Sequence, residues 1–489
     1  VKKQKPLILS KASPHKSAAQ FRDMKHPNLI CFQDEFLTWN GCAYDAIDPP
    51  AMKSQISAFL ADAKRMVGVN TAGTAQPVDF NPKKTDVEEV YTALQRICHK
   101  DGGPNDVQPP MWLDGRSAPA PEDIISCKNG LLDLITGDLL DHTPAFFTRT
   151  SLPIEFNELA PDPVAWRKFL NEITDNDPAM IDLIKELFGY FLTSDMRMQI
   201  ILLLHGNPGS GKDTLLSVLH ALVGERNIAN PSVDDFGGQF ALQSFVAKLL
   251  AILGDANTDD KKALSKCGNR MKAISGETPQ DINRKFLSVA QVKLRTRIIF
   301  VCNDLPDFGN STHALGRRLI TLPLTQDFRG NPDIDLKEKL QAELPGILND
   351  VLGALRRLRE RGKFIVPAKC LWLKDRILYL SNPARGFFDK ECIADPNAET
   401  KKMDVYERYH SFSVSIGVHP VSFAKFAEEL YKFMPTVRAG RQTEGGEREN
   451  MFMGVRLKPQ RFGSSDFDEA PPTRLKVVGG RDATGNPWD

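Results

Sequence analysis

The stretch that most constrains this chain begins with the apolar, strand-length run Ile200-Ile-Leu-Leu-Leu204. His205 and Gly206-Asn-Pro-Gly-Ser-Gly-Lys212 follow at once, and then Asp213-Thr-Leu-Leu-Ser-Val-Leu-His-Ala-Leu222, which has helical spacing. A G-x4-GK run set between a strand and a helix demands an α/β unit. Its glycines let successive backbone N–H groups turn toward phosphate oxygens. The helix end adds partial positive charge, and Lys212 is placed to reach the β and γ phosphates. Gly206, Asn207, Pro208, Gly209, Ser210, Gly211, Lys212, Asp213 and Thr214 are therefore the expected cradle for ATP. A magnesium ion is ordinarily held by a hydroxyl directly after the lysine. Here Asp213 takes that place and Thr214 follows it. Either Thr214 takes over the ion or Asp213 holds it itself, and both readings stand.

Three later features bear on what such a loop does. Lys248-Leu-Leu-Ala-Ile-Leu253 reads as a second buried strand and ends in Gly254-Asp255. An acid there can hold magnesium through water or activate the attacking water, though a lone acid after a strand is common. Thr296-Arg-Ile-Ile-Phe-Val-Cys302 reads as a third strand ending in Asn303, an amide suited to orienting water against a γ phosphate. A structural turn would explain an isolated Asn equally well. Arg317 and Arg318 precede a fourth strand, Leu319-Ile-Thr-Leu-Pro-Leu324. Paired arginines at a strand start are usually a solvated edge, but in a ring ATPase one of them reaches the neighbouring subunit's γ phosphate.

In this order the features resemble the superfamily 3 helicases of the AAA+ class, and within them the phage and plasmid primase-helicase family. The tract Ile274-Ser-Gly-Glu-Thr-Pro-Gln-Asp-Ile-Asn-Arg-Lys-Phe286 resembles the segment that carries a DNA-gripping hairpin in these helicases. The resemblance implies that Arg284, Lys285 and Phe286 face a central channel. It makes Lys212, Asp255 and Asn303 catalytic, with Arg318 as the trans-acting finger and Arg317 second choice. Relatives tend to carry two adjacent acids where Gly254 and Asp255 stand, so either one carboxylate both holds magnesium and activates water, or a second acid such as Glu277 helps. The loop by itself is also similar to that of adenylate-kinase-type nucleotide kinases, one alternative; an origin-binding or loader ATPase is another.

The expected fold class is α/β: an AAA+ P-loop motor with a parallel sheet, preceded by a mixed α+β domain and followed by a small winged-helix-like module. The expected divisions are a flexible lead-in (1–25), an α+β collar-type domain (26–160), the motor with its leading helices (161–365), the C-terminal module (366–458) and a disordered tail (459–489). Asn40-Gly41 and Thr136-Gly137 mark hairpins, residues 87–98 have helical spacing, and Ile334 to Arg361 reads as helical. Ser422 is placed to cap a helix with Phe423, Phe426 and Leu430 on one face.

With a net charge of +1 over 489 residues, any nucleic-acid surface must be local. Lys262, Lys266, Arg270, Lys272, Arg284, Lys285, Lys293, Arg295 and Arg297 form such a basic tract, suited to phosphates rather than bases. The expected partners are DNA, as a single strand in the channel and a duplex at the fork, and further copies of the chain, a hexamer by resemblance. Travel 3′-to-5′ is likewise implied only by resemblance, and a primase domain, if there is one, is expected upstream of Val1. Eight scattered cysteines without a CxxC pair argue against a zinc site and fit a reducing, cytosol-like compartment such as that of a bacterial host. No apolar run approaches a membrane span.

Overall fold

The computed structural model describes residues 7–69, 75–100, 108–236, 238, 241–254, 260–284, 289–330, 332–444 and 447–459. Asp255, Lys285 and Phe286 lie outside these, as does almost all of the 459–489 segment.

Five parallel strands form the central sheet, in the order Ile228–Ala229, Leu250–Leu253, Arg297–Cys302, Ile201–Gly206 and Leu319–Leu324. The loop strand is buried throughout, which is why it reads as an unbroken apolar run rather than an alternating one. It pairs on one side with the strand that leads to Asn303 and on the other with the strand that follows Arg318. Asn303 and the glycine loop thus meet at the carboxyl ends of adjacent strands, where open α/β sheets bind ligands, while Arg317 and Arg318 lie at the amino end of theirs.

One face of the sheet is covered by Val164–Thr174, Pro178–Phe191 and Leu344–Arg361, whose Trp166, Phe191 and Val351 share a core with Leu202, Ile299 and Leu322. Ile125, Cys127, Leu132, Leu152 and Ile154 belong to this same core, so a division at residue 160 cuts through a packed unit. The other face packs Leu203 and Phe300 against Leu264 and Met271 of the helix Lys261–Ser275. The helical reading of 334–361 resolves into Leu336–Ala342 and Leu344–Arg361. Pro345 has no N–H to continue a helix and opens the second one. At the break, the Glu343 carboxylate accepts from the backbone N–H of Ala165 (2.9 Å) and Trp166 (3.0 Å), fixing the start of the leading helix.

The N-terminal part corrects one expectation. Residues 14–25 form a helix packed on Lys84–Cys98, with Phe21 and Ala18 buried among Phe59, Leu60 and Leu94. Its basic, polar composition reads as a lead-in, yet a few apolar side chains on one face suffice to dock a helix. The hairpins at Asn40-Gly41 and Thr136-Gly137 form as expected. C-terminally, the helices Pro383–Glu391, Lys402–Ser415 and Phe423–Phe433 pack with an antiparallel sheet ordered Cys392–Lys401, Glu447–Leu457, Arg438–Glu444 around Phe387, Tyr409, Phe426 and Phe452. Ser422 stands at the start of its helix, but its hydroxyl makes no capping bond. Among the described residues no helix is long and apolar enough to cross a membrane.

Arg297, counted by sequence in the basic tract, is interior, with 1% of its surface exposed. It donates to the carbonyls of Tyr190 (3.2 Å), Phe191 (3.1 Å) and Arg295 (3.2 Å), so it caps the carboxyl end of Pro178–Phe191 and ties it to the sheet. Burial pulls its pKa down to about 10, which leaves it charged at neutral pH. Arg297→Met should cost about 3 kcal/mol, because the helix-end carbonyls would stay buried without donors. Urea unfolding reads this, and a loss below about 0.5 kcal/mol would remove Arg297 from the fold's support.

Candidate nucleotide site

The loop starts where Gly206 ends its strand, and the helix Lys212–Val223 starts at its far end. Gly209 and Gly211 sit at φ 85° and 89°, in the left-handed region that side chains other than glycine rarely adopt. A β-carbon on Gly211 would come within 2.8 Å of Ile173 on the leading helix, and one on Gly209 within 2.5 Å of Arg329. The loop is therefore clasped between two segments that have no local sequence relation to it. Phe328 N–H donates to the Gly209 carbonyl (3.0 Å), and Arg329 forks onto Asp327, holding that carboxyl at about 2.

Beside the loop lies a cavity of about 650 Å³, lined by Ala165, Phe169, Ser210, Thr214, Phe328 and Leu336 among others. Its size and its apolar wall with polar loop groups are those of a small-molecule site. Sequence reasoning found the loop but not Phe169, Phe328 or Leu336. The only signal for them was their apolar character within segments flanking the sheet.

Lys212 is 7% exposed. Its ammonium donates to Asn303 Oδ1 (2.9 Å), to the Asn207 carbonyl (3.1 Å) and to the Gly206 carbonyl. The structure thus joins two residues singled out separately by sequence. Ser210 is buried with a hydroxyl that has no partner among the described residues. Asp213 is exposed and Thr214 half-buried, both on the first turn beyond the loop.

Beneath Lys212, burial first and the nearby ammonium second push His205 down to about 4. The unfolded chain binds this proton near pH 6.5 and the folded chain resists it, so stability should fall as pH drops from about 6.5 toward 4. The shift corresponds to about 3 kcal/mol at the acid end. His205→Leu should flatten this dependence relative to the parent in urea titrations across that window. Parallel curves would mean that His205 does not carry it.

The two arginines separate clearly. Arg318 donates to Ser275 Oγ (3.0 Å) and to the Lys272 carbonyl, at the carboxyl end of Lys261–Ser275. Arg317 is exposed and has no hydrogen-bond or ion-pair partner among the described residues. The ranking expected from sequence, Arg318 before Arg317, therefore favours the arginine that is already engaged in its own subunit.

A hairpin forms between Gln280–Ile282 and Ala290–Val292. Lys285 and Phe286 fall outside the described residues, while Arg284 donates to the Gln33 carbonyl (2.6 Å) of the N-terminal part. The basic tract is less uniform than its composition. Lys262, Lys266 and Lys272 are exposed, Arg270 is spent on the carbonyls of Phe236 and Gly238, and Arg297 is internal.

A parallel sheet with a glycine loop at the end of one strand and a lysine turned into it defines a P-loop-like α/β protein. Residues 18–175 match the family described as "D5 N terminal like", and residues 204–318 match a family of unknown function, DUF5906. In fold the chain is similar to the A-form apo structure of the NrS-1 C-terminal region, at 11% identity and a TM-score of 0.51, over 90% of this chain and 98% of that one. It is also similar to a second apo structure of that region, at 11% identity and a TM-score of 0.50, over 90% and 99%. Each family match covers part of the chain, and the likeness to the NrS-1 region is one of fold.

Proposed function

We propose that the chain is an ATP-driven DNA helicase of the superfamily 3, AAA+ type, working as a ring in replication of a phage or mobile element. The observation that carries this reading is the 2.9 Å contact between Lys212 and Asn303. A loop lysine resting on an amide at the neighbouring strand end is a pair set to exchange one partner for a γ phosphate. On this reading the loop N–H groups and Lys212 hold the β and γ phosphates, Asn303 orients the attacking water, and the cavity takes the base.

Asp213 and Thr214 offer hard oxygen donors of the kind magnesium prefers, and Asp255 would be the third. The ion would supply charge neutralisation at the phosphates. Arg317, exposed and uncommitted, is proposed as the cation offered to a neighbour, which makes the site complete only between subunits. The Gln280–Val292 hairpin and the exposed lysines of Lys261–Ser275 would track one strand through its phosphates. The helix Phe423–Phe433 with its adjoining hairpin is proposed as a winged-helix-like contact to duplex DNA.

Hydrolysis of ATP with and without single-stranded DNA, strand displacement on 3′- and 5′-tailed duplexes, and light scattering with nucleotide and DNA present test this together. Stimulation by DNA, displacement on one tail polarity and an assembled ring are expected. Hydrolysis on duplex DNA without displacement would indicate a loader. Phosphate transfer to a nucleotide without DNA would indicate a kinase.

A further inference from the structure

Far from the loop, at the start of the helix Pro14–Lys25, lies a second cavity of about 360 Å³. The chain enters it by pairing along Lys64: Leu9 N–H donates to the Lys64 carbonyl and Lys64 N–H to the Leu7 carbonyl, both at 2.8 Å. That pairing sets Ser10 to Ser13 and the first helical turn against Arg65.

The charges that line this cavity are of one sign. The first turn of this helix carries no acid, and Lys16 lies in it, at the end where the helix already presents partial positive charge. Arg65 adds a half-buried guanidinium whose Nε is shielded from water and has no partner among the described residues. Among the described residues no carboxylate lines the cavity, and the third cation there, Lys11, is already paired with Asp86 at 2.9 Å. Ser17, only 1% exposed, lines the same space, and its hydroxyl has no hydrogen-bond partner among the described residues. A buried hydroxyl, a guanidinium and an ammonium thus line one cavity whose described lining holds no carboxylate, a set of groups suited to an anion.

We propose that Lys16, Ser17 and Arg65 bind a phosphate group, carried either by a nucleic-acid backbone or by free phosphate. This rests on none of the loop chemistry.

The test uses the full chain with Lys212→Ala, which weakens the loop as a competing anion site. Calorimetric titration with inorganic pyrophosphate should show binding that Arg65→Gln weakens at least about tenfold and Ser17→Ala a few-fold. Lys16→Glu, on the exposed helix surface, should abolish that binding. It should also raise the Tm of the unliganded chain by about 1–3 °C, because it reverses the mismatch with the helix dipole. Unchanged pyrophosphate affinity in all three variants, or a lowered Tm in Lys16→Glu, would overturn the site. Oligothymidylate binding at several salt concentrations separates the sources. A salt slope shallower by about 0.7 per cation removed assigns the phosphate to single-stranded nucleic acid. An unchanged slope with lost pyrophosphate binding assigns it to free phosphate.

Discussion

Lys212→Ala is expected to lower ATP turnover by about 10³-fold or more while leaving the protein folded. The lysine is held inside the glycine loop, where it rests on Asn303 and on the carbonyls of Gly206 and Asn207. Asn207 and Asn303 are exposed, so water replaces the lost donor at both and the cost in stability is small. The γ phosphate has no such substitute, because its negative charge needs a fixed cation at the transition state. Lys212→Arg is expected to rescue little, since a planar fork does not fit where a compact ammonium sits between three oxygens. Steady-state hydrolysis with circular dichroism on the same samples reads both halves. Turnover within about tenfold of the parent would show that the loop does not hold the reacting phosphate.

What the sequence made legible was whatever depends on short spacing. The loop, its strand and its helix are encoded within a couple of dozen residues, and all three form at the expected place. Asn303 was visible as a strand end, but its contact with Lys212 spans 91 positions and depends on sheet order, which spacing does not encode. Arg297 illustrates the opposite failure. It stands among basic residues in sequence, yet its strand carries it into the interior, where helix-end carbonyls replace solvent. The helix Pro14–Lys25 was hidden by its polar composition, and the packing of Ile125 to Ile154 into the sheet's core was hidden because hairpins do not announce which layer they join. The aromatic wall of the cavity comes from Phe169 and Phe328, on segments that meet only once the sheet has formed.

Arg317→Ala should reduce turnover by about 10³-fold with nucleotide affinity nearly kept, the signature of a group that acts on the transition state from outside the cradle. Arg318→Ala should do something else. Its guanidinium closes the end of Lys261–Ser275, so its loss should cost about 1 kcal/mol of stability and spare most of the hydrolysis. Adjacent in sequence, the two arginines differ only in whether a helix end lies within reach. A site shared between subunits adds a sharper consequence. On the proposed shared site, Lys212→Ala lacks the cradle cation and Arg317→Ala the neighbour's cation, and each alone is expected to be nearly inactive. Mixed in equal amounts and allowed to exchange subunits, they would form some junctions with an intact cradle from one variant and an intact arginine from the other. Random mixing makes about a quarter of the junctions complete, so activity should reappear at up to about that fraction of the parent. Two subunits that each contained their whole site would regain nothing on mixing, and that result would end the trans-finger assignment.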